Sequence, residues 1–158
     1  SMGLSEAYVS PAPIESVAWA DFNADGATDL ALATEGGLTL LLPDRSGKYL
    51  PAMVQQGKID AVSAGDFNGD RFPDLAIVSG QQLSFLVNDG TGKFTALAGS
   101  GAGLIGQQYS VEAVDLDLDN LSALVVSGAG YCFHRNGRFL PQVARCARCL
   151  VAATFVAA

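Results

Sequence analysis

The tripeptide Asp-Phe-Asn opens two nine-residue segments, Asp21 to Asp29 and Asp66 to Asp74, placed 45 residues apart. Other landmarks keep the same interval: Gly47, Gly92 and Gly137 are spaced by 45 and 45. A period of this length means that one supersecondary unit is stacked on copies of itself, because a single unit cannot bury its apolar face alone. Three units can be read, over residues 16–54, 61–97 and 110–143. The third is weaker. Its segment starts at Asp115, 49 residues after Asp66; a longer linker over 99–108 and a shorter stretch before Gly137 account for the displacement.

Each unit reads as four short strands. In the first they run Val17 to Phe22, Leu30 to Thr34 and Leu38 to Leu42, with a fourth beginning at Tyr49. Gly36-Gly37 and Asp44-Arg45-Ser46-Gly47 supply turns, and in the third unit Asn136-Gly137 is a strong two-residue hairpin signal. No segment sustains the 3.6-residue apolar period of a helix. Four-stranded hairpin units repeating every 40–50 residues predict an all-β fold of β-propeller blades. Tyr8 to Ala12 resembles Tyr49 to Met53, so an orphan outer strand is expected before the first unit. Residues 144–158 read as a tail or a decayed first strand. The 158 residues are expected to form a single domain. Propellers close with four to eight blades, so three blades are expected to be half of a six-bladed ring completed by a second copy through the blade edges, or part of a longer protein.

The formal net charge of -7 is mostly local. Nine of the sixteen acidic residues lie in three segments: Asp21, Asp25 and Asp29; Asp66, Asp70 and Asp74; Asp115, Asp117 and Asp119. The nine basic residues are scattered, which disfavours nucleic acid as a partner, since phosphate contacts need Lys/Arg patches. No apolar run reaches the length of a membrane span. Ser1-Met2 reads as a cloning remnant with no signal peptide after it. The three cysteines, Cys132, Cys146 and Cys149, include one C-x-x-C, too few ligands for a structural zinc site; incidental thiols or one disulfide are expected.

In the first two segments oxygen-bearing side chains recur at positions 1, 3, 5 and 9: Asp21, Asn23, Asp25 and Asp29, then Asp66, Asn68, Asp70 and Asp74. Alternate residues of a tightly curled loop point at one centre, and Ca²⁺ takes six to eight hard oxygens. The carbonyls at position 7, Ala27 and Phe72, would add a ligand each. Position 6 demands a sharp turn; it holds Gly26 in the first loop and Arg71 in the second, where a positive φ would be strained. An EF-hand is excluded, because position 12 is Leu32 or Ile77 rather than Glu and the flanks read as strands. The third loop keeps Asp115, Asp117 and Asp119 but has Ala123 at position 9, so a weak or empty site is expected there. Asn120 takes the place of Gly at its position 6.

Asp-Phe-Asn-x-Asp-Gly-x-x-Asp-Leu-Ala followed by a hairpin resembles the FG-GAP/VCBS repeat of integrin α-subunit propellers and related bacterial proteins and lectins. The likeness runs from Ser16 to Val143 and is partial in the third unit. It implies a propeller with structural calcium in its inter-strand loops, held by the eight side chains just named. It also implies a module for cell adhesion or for binding a protein or carbohydrate ligand, outside the cell or in the periplasm.

The residues argue against an enzyme. His134 is the sole histidine and sits beside a predicted hairpin turn, where a solvated side chain is expected. Carboxylates committed to calcium make poor proton carriers. The alternative is an accessory propeller fragment of a larger secreted hydrolase or adhesion protein. Trp19, the single tryptophan, is expected in the core of the first unit. Tyr49, Phe94 and Phe139 recur after the glycine landmarks and are expected to pack within each blade.

Overall fold

The computed structural model describes residues 8–97, 102–103, 110–115, 120–127, 131–134 and 142–145. They form three antiparallel sheets. The first contains β1 (Ile14–Ala20), β2 (Asp29–Thr34), β3 (Gly37–Pro43) and β4 (Tyr49–Gln56), side by side in that order. The second contains β5 (Ala61–Gly65), β6 (Asp74–Ser79), β7 (Gln82–Asn88) and β8 (Phe94–Ala96), with β9 (Ala102–Gly103) also on β7. The third contains β10 (Ser110–Val114), β11 (Ala123–Ser127), β12 (Tyr131–His134) and β13 (Gln142–Arg145). Each unit of the sequence is one sheet.

The strands match the expected ones, with one informative shift. β1 ends at Ala20, so Asp21 and Phe22 belong to the loop and not to the strand. The β2–β3 turn is closed by Thr34, whose Oγ1 accepts from Gly36 N and Gly37 N and donates to Gly37 O. Gly37 is required there: its φ is 150°, and a Cβ would collide with the Gln55 carbonyl oxygen. In the next turn Asp44 Oδ1 accepts from Ser46 N, Ser46 Oγ and Lys48 N. Asp89 repeats the device with Thr91 N and Thr91 Oγ1. In both, these donors hold the carboxyl below the usual carboxylate range, the Ser46 or Thr91 hydroxyl first.

The sheets stack face to face. Side chains alternate across a strand, so adjacent residues of the second sheet serve different layers. Leu75, Ile77 and Leu86 join Ala18, Ala31, Leu38 and Leu40 of the first sheet and Phe22 of its loop. Ala76, Val78 and Phe85 join Val111, Leu124 and Val126 of the third. Burial of both faces explains why β6 reads as a continuous apolar run, Leu75-Ala76-Ile77-Val78, rather than as an alternation.

β1, β5 and β10 lie next to one another and line a shared cleft that includes Ser16, Trp19, Ser63 and Glu112. Polar bonds cross between them. Ser16 Oγ donates to Val62 O and accepts from Val62 N, and Ser63 Oγ accepts from Ala113 N at 2.8 Å.

Two expectations are corrected. Trp19 is not core: it is 68% exposed, because odd-numbered residues of β1 face away from the second sheet. Residues 8–13 form no strand of this chain. Instead Ser10 Oγ accepts from Ala12 N and donates to Ala12 O, bending the backbone between Pro11 and Pro13, which have no N–H for a ladder. Asn136, Gly137, Phe139, Cys146, Cys149 and the 150–155 segment lie outside the described residues. Among those described, no helix is long and apolar enough to cross a membrane.

Candidate metal centres

The two complete loops connect β1 to β2 and β5 to β6. Their curl is set by side-chain oxygens bonding the loop's own N–H groups, the local chemistry that makes Asp and Asn turn residues. In the first loop Asp21 Oδ1 and Asn23 Oδ1 both accept from Asp25 N, at 3.1 and 3.0 Å. Asp21 Oδ2 accepts from Gly26 N, and Asp25 Oδ1 from Ala27 N. Asn23 Nδ2 donates to Asp25 Oδ2 at 2.9 Å. The second loop repeats this almost bond for bond. Asp66 Oδ2 accepts from Arg71 N, Asn68 Oδ1 from Asp70 N, and Asp70 Oδ1 from Phe72 N. Asn68 Nδ2 donates to Asp70 Oδ2 at 2.7 Å.

Position 6 is left-handed in all three loops: φ is 84° at Gly26, 73° at Arg71 and 67° at Asn120. Arg71 therefore carries the strain anticipated for it. Position 4 is also left-handed, at Ala24 and Gly69, which composition did not reveal. The third loop keeps one element of the curl, Asn120 N donating to Asp115 Oδ2 at 3.0 Å. Asp117 and Asp119 lie outside the described residues.

The position-9 carboxylates are buried beneath their loops. Asp29 Oδ2 accepts from Phe22 N at 2.8 Å, and Asp74 Oδ2 from Phe67 N at 3.1 Å. The second oxygens differ. Asp74 Oδ1 accepts from Asn88 N at 3.0 Å. Asp29 Oδ1 is buried with no hydrogen-bond partner. The equivalent of Asn88 in the first sheet is Pro43, by its pairing with Tyr49 as Asn88 pairs with Phe94, and proline has no N–H. Burial raises both carboxyls above the ordinary range, with the neighbouring Asp25 and Asp21, or Asp70 and Asp66, adding to the shift; Asp74 is pushed up to about 6.

Sequence reasoning missed Asn88. Its buried amide donates to Phe22 O of the first loop and to Pro73 O, while its Oδ1 accepts from Gly90 N and Gly92 N. It thus fastens the first loop to the second sheet. The signal was present as the Pro43/Asn88 mismatch in an otherwise regular repeat. Phe22 completes the junction, packing edge-on against Phe94 with ring centroids 5.6 Å apart. At the next junction Phe67 is buried in the layer shared with the third sheet, and Ser122 N donates to Asp66 O at 2.7 Å.

With their oxygens turned to backbone N–H groups, no three His, Cys, Asp or Glu side chains among the described residues converge as a metal-holding group. The donor set is nevertheless hard oxygen throughout, and Asp29 Oδ1 is buried with no hydrogen bond of good geometry, although the Asn23 N–H is near enough to favour the charged carboxyl; a bound cation would complete this weakly satisfied acceptor.

Three stacked antiparallel sheets built on four-strand meanders, adjacent ones joined through an Asp/Asn loop, define a repeat protein of the all-β class. An FG-GAP-like repeat matches residues 21–77 and again 66–126, so the chain belongs to the FG-GAP-like repeat family. Among solved structures it is similar to a lectin of Agrocybe aegerita described for specific recognition of non-reducing terminal N-acetylglucosamine. The TM-score is 0.56 at 17% identity over 78% of this chain. The chain spans 36% of the length of that lectin. No curated protein matches it in sequence.

Proposed function

We propose that the chain is a non-enzymatic, calcium-binding β-propeller module that presents a ring face to a protein or carbohydrate ligand. Each sheet is a blade, and the three blades make half of a six-bladed ring that a second copy completes. The observation that carries the calcium reading is the weakly satisfied Asp29 Oδ1 beneath a loop of hard oxygens. Asp21, Asn23, Asp25, Asp29 and the Ala27 carbonyl would hold one ion. Asp66, Asn68, Asp70, Asp74 and the Phe72 carbonyl would hold a second, and the Asp115 loop is weak or empty. Bound calcium would neutralise the clustered carboxylates and stiffen loops that join neighbouring blades through Phe22, Asn88 and Ser122.

The fold likeness to a lectin makes glycans the first ligand class to screen. A compartment rich in calcium, outside the cell or in the periplasm, suits such loops. The test is thermal unfolding with calcium and with chelator. Asp25→Ala and Asp70→Ala are expected to lower the midpoint clearly more in calcium than in chelator, where only the loop's own hydrogen bonds are lost. Equal loss in both conditions would refute structural calcium. A glycan array then separates sugar from protein ligands.

A further inference from the structure

The two end faces of the three-blade stack differ from its internal seams in a matched way. At the internal seam between the second and third blades, Gly65 of β5 lies against Ala113 of β10: a Cβ on Gly65 would stand 2.8 Å from the Ala113 Cβ and closer still to Ser122. Beside this pair, Ser63 Oγ accepts the Ala113 N–H. The seam between the first and second blades uses Ala20 and Ala64, both packed on its apolar layer. Small residues bring the inner strands close.

The repeat carries this register to the ends of the stack. The residue that stands where Ala113 does, on the face of the first blade turned away from the second, is Trp19, 68% exposed. Those that stand where Gly65 and Ser63 do, on the far face of the third blade, are Val114, 38% exposed, and Glu112, also exposed. All three are larger than their internal counterparts. Val17 is 39% exposed on the same face as Trp19, whereas Val62, its counterpart under the first blade, is 2% exposed. On this face Val17, Trp19 and Met53, the last 58% exposed, are open beside Leu32 and Leu41, which are buried, so the inner-strand edge is what stands open and is built like a covered one.

We infer that the first blade's face receives the third blade of a second copy, with Trp19 of one chain on Val114 of the other and the Glu112 carboxylate accepting the Trp19 N–H. The closing seam keeps the internal register but is wider, and each enlarged residue spans the extra gap: indole and isopropyl replace methyl and hydrogen, and a glutamate replaces a serine as acceptor. Two such seams, related by a twofold axis, close the ring without requiring sixfold regularity. This rests on the half-ring reading proposed above and names its contact residues.

The single tryptophan makes the seam observable. By light scattering the chain is expected at twice 16.3 kDa, with Trp19 emission shifting to longer wavelength on dilution as the indole meets water. Trp19→Lys and Val114→Asp should each give a folded monomer, since both sites are solvent-facing in the single chain. Mixing the two variants should restore a dimer, with one native seam and one Lys–Asp seam. A dimer that survives both substitutions overturns this seam while leaving the half-ring reading intact. A wild-type monomer at high concentration with a cooperative melt overturns both, pointing to blades from another source. Failure of the mixture to associate also overturns the inference.

Discussion

Asn88 donates its backbone N–H to Asp74 Oδ1 at 3.0 Å, whereas Pro43, at the same point of the first sheet, has no hydrogen to give Asp29 Oδ1. Two loops with almost identical bonding thus rest on differently satisfied carboxylates. Pro43→Ala supplies the missing donor. A hydrogen bond to a charged group is worth ~1.5–3 kcal/mol, against a loss of ~0.4–1 kcal/mol from a freer unfolded chain. The midpoint in chelator should rise by the equivalent of about 1 kcal/mol, and the further gain on adding calcium should shrink. An unchanged calcium increment would show that Asp29 Oδ1 is not where the ion acts.

The same carboxyls set a pH dependence for the metal-free protein. Burial raises Asp74 to about 6 and raises Asp29 as well, so the folded state binds these protons more tightly than the unfolded one. Their contribution is fully present below the ordinary Asp value of 3.8 and is lost as pH rises through about 6. In chelator the midpoint should therefore climb as pH falls from 7 to 5, and Asp74→Asn should flatten the trend. Asp44 and Asp89, shifted downward, act with the opposite sign but only below that window. With saturating calcium the slope should reverse, because protons then compete with the ion.

Arg71 holds a φ of 73° where the first loop has glycine. A non-glycine residue in this region costs ~1 kcal/mol or more. Arg71→Gly should stabilise the protein by about 1 kcal/mol in urea unfolding, and Gly26→Ala should cost a similar amount.

Asn88 is buried with four side-chain bonds, one of them to Phe22 O of the first loop. Leaving buried groups unpaired costs ~1–3 kcal/mol each, partly relieved by relaxation, so Asn88→Ala should lose about 3 kcal/mol. Asn88→Asp keeps the acceptor for Gly90 N and Gly92 N but faces the Phe22 and Pro73 carbonyls with a charge. It should be as damaging at pH 7 and recover as pH falls.

The strands were legible because hairpin turns and the 45-residue interval fix them locally: β2, β3 and β4 begin within one residue of their expected starts. The curl of the Asp/Asn loops was legible as a pattern, and the strain at Arg71 followed from its position. What sequence could not show is which face a neighbour covers. The place of Trp19 on the inner strand of the first unit suggests core, yet exposure depends on what stacks against β1. β9 escaped notice because two residues pairing with Gln82 and Leu83 leave no periodicity. Asn88 escaped because polar residues in a turn are ordinary, and its partner lies 66 residues away.

The fourth strand of the second sheet is made of two pieces, and their pairings with β7 are out of step by three residues: Leu86 meets Ala96, but Leu83 meets Ala102. β4 on the first sheet absorbs a smaller irregularity near Val54. β6 and β7 stay in unbroken register throughout. β1 carries a further irregularity between Ile14 and Ser16. The repeat thus absorbs extra residues in its first and last strands while the central pair keeps register, and the step from β8 to β9 along β7 is where a peptide tag, a fluorophore or a foreign loop can be grafted at least cost to the rest.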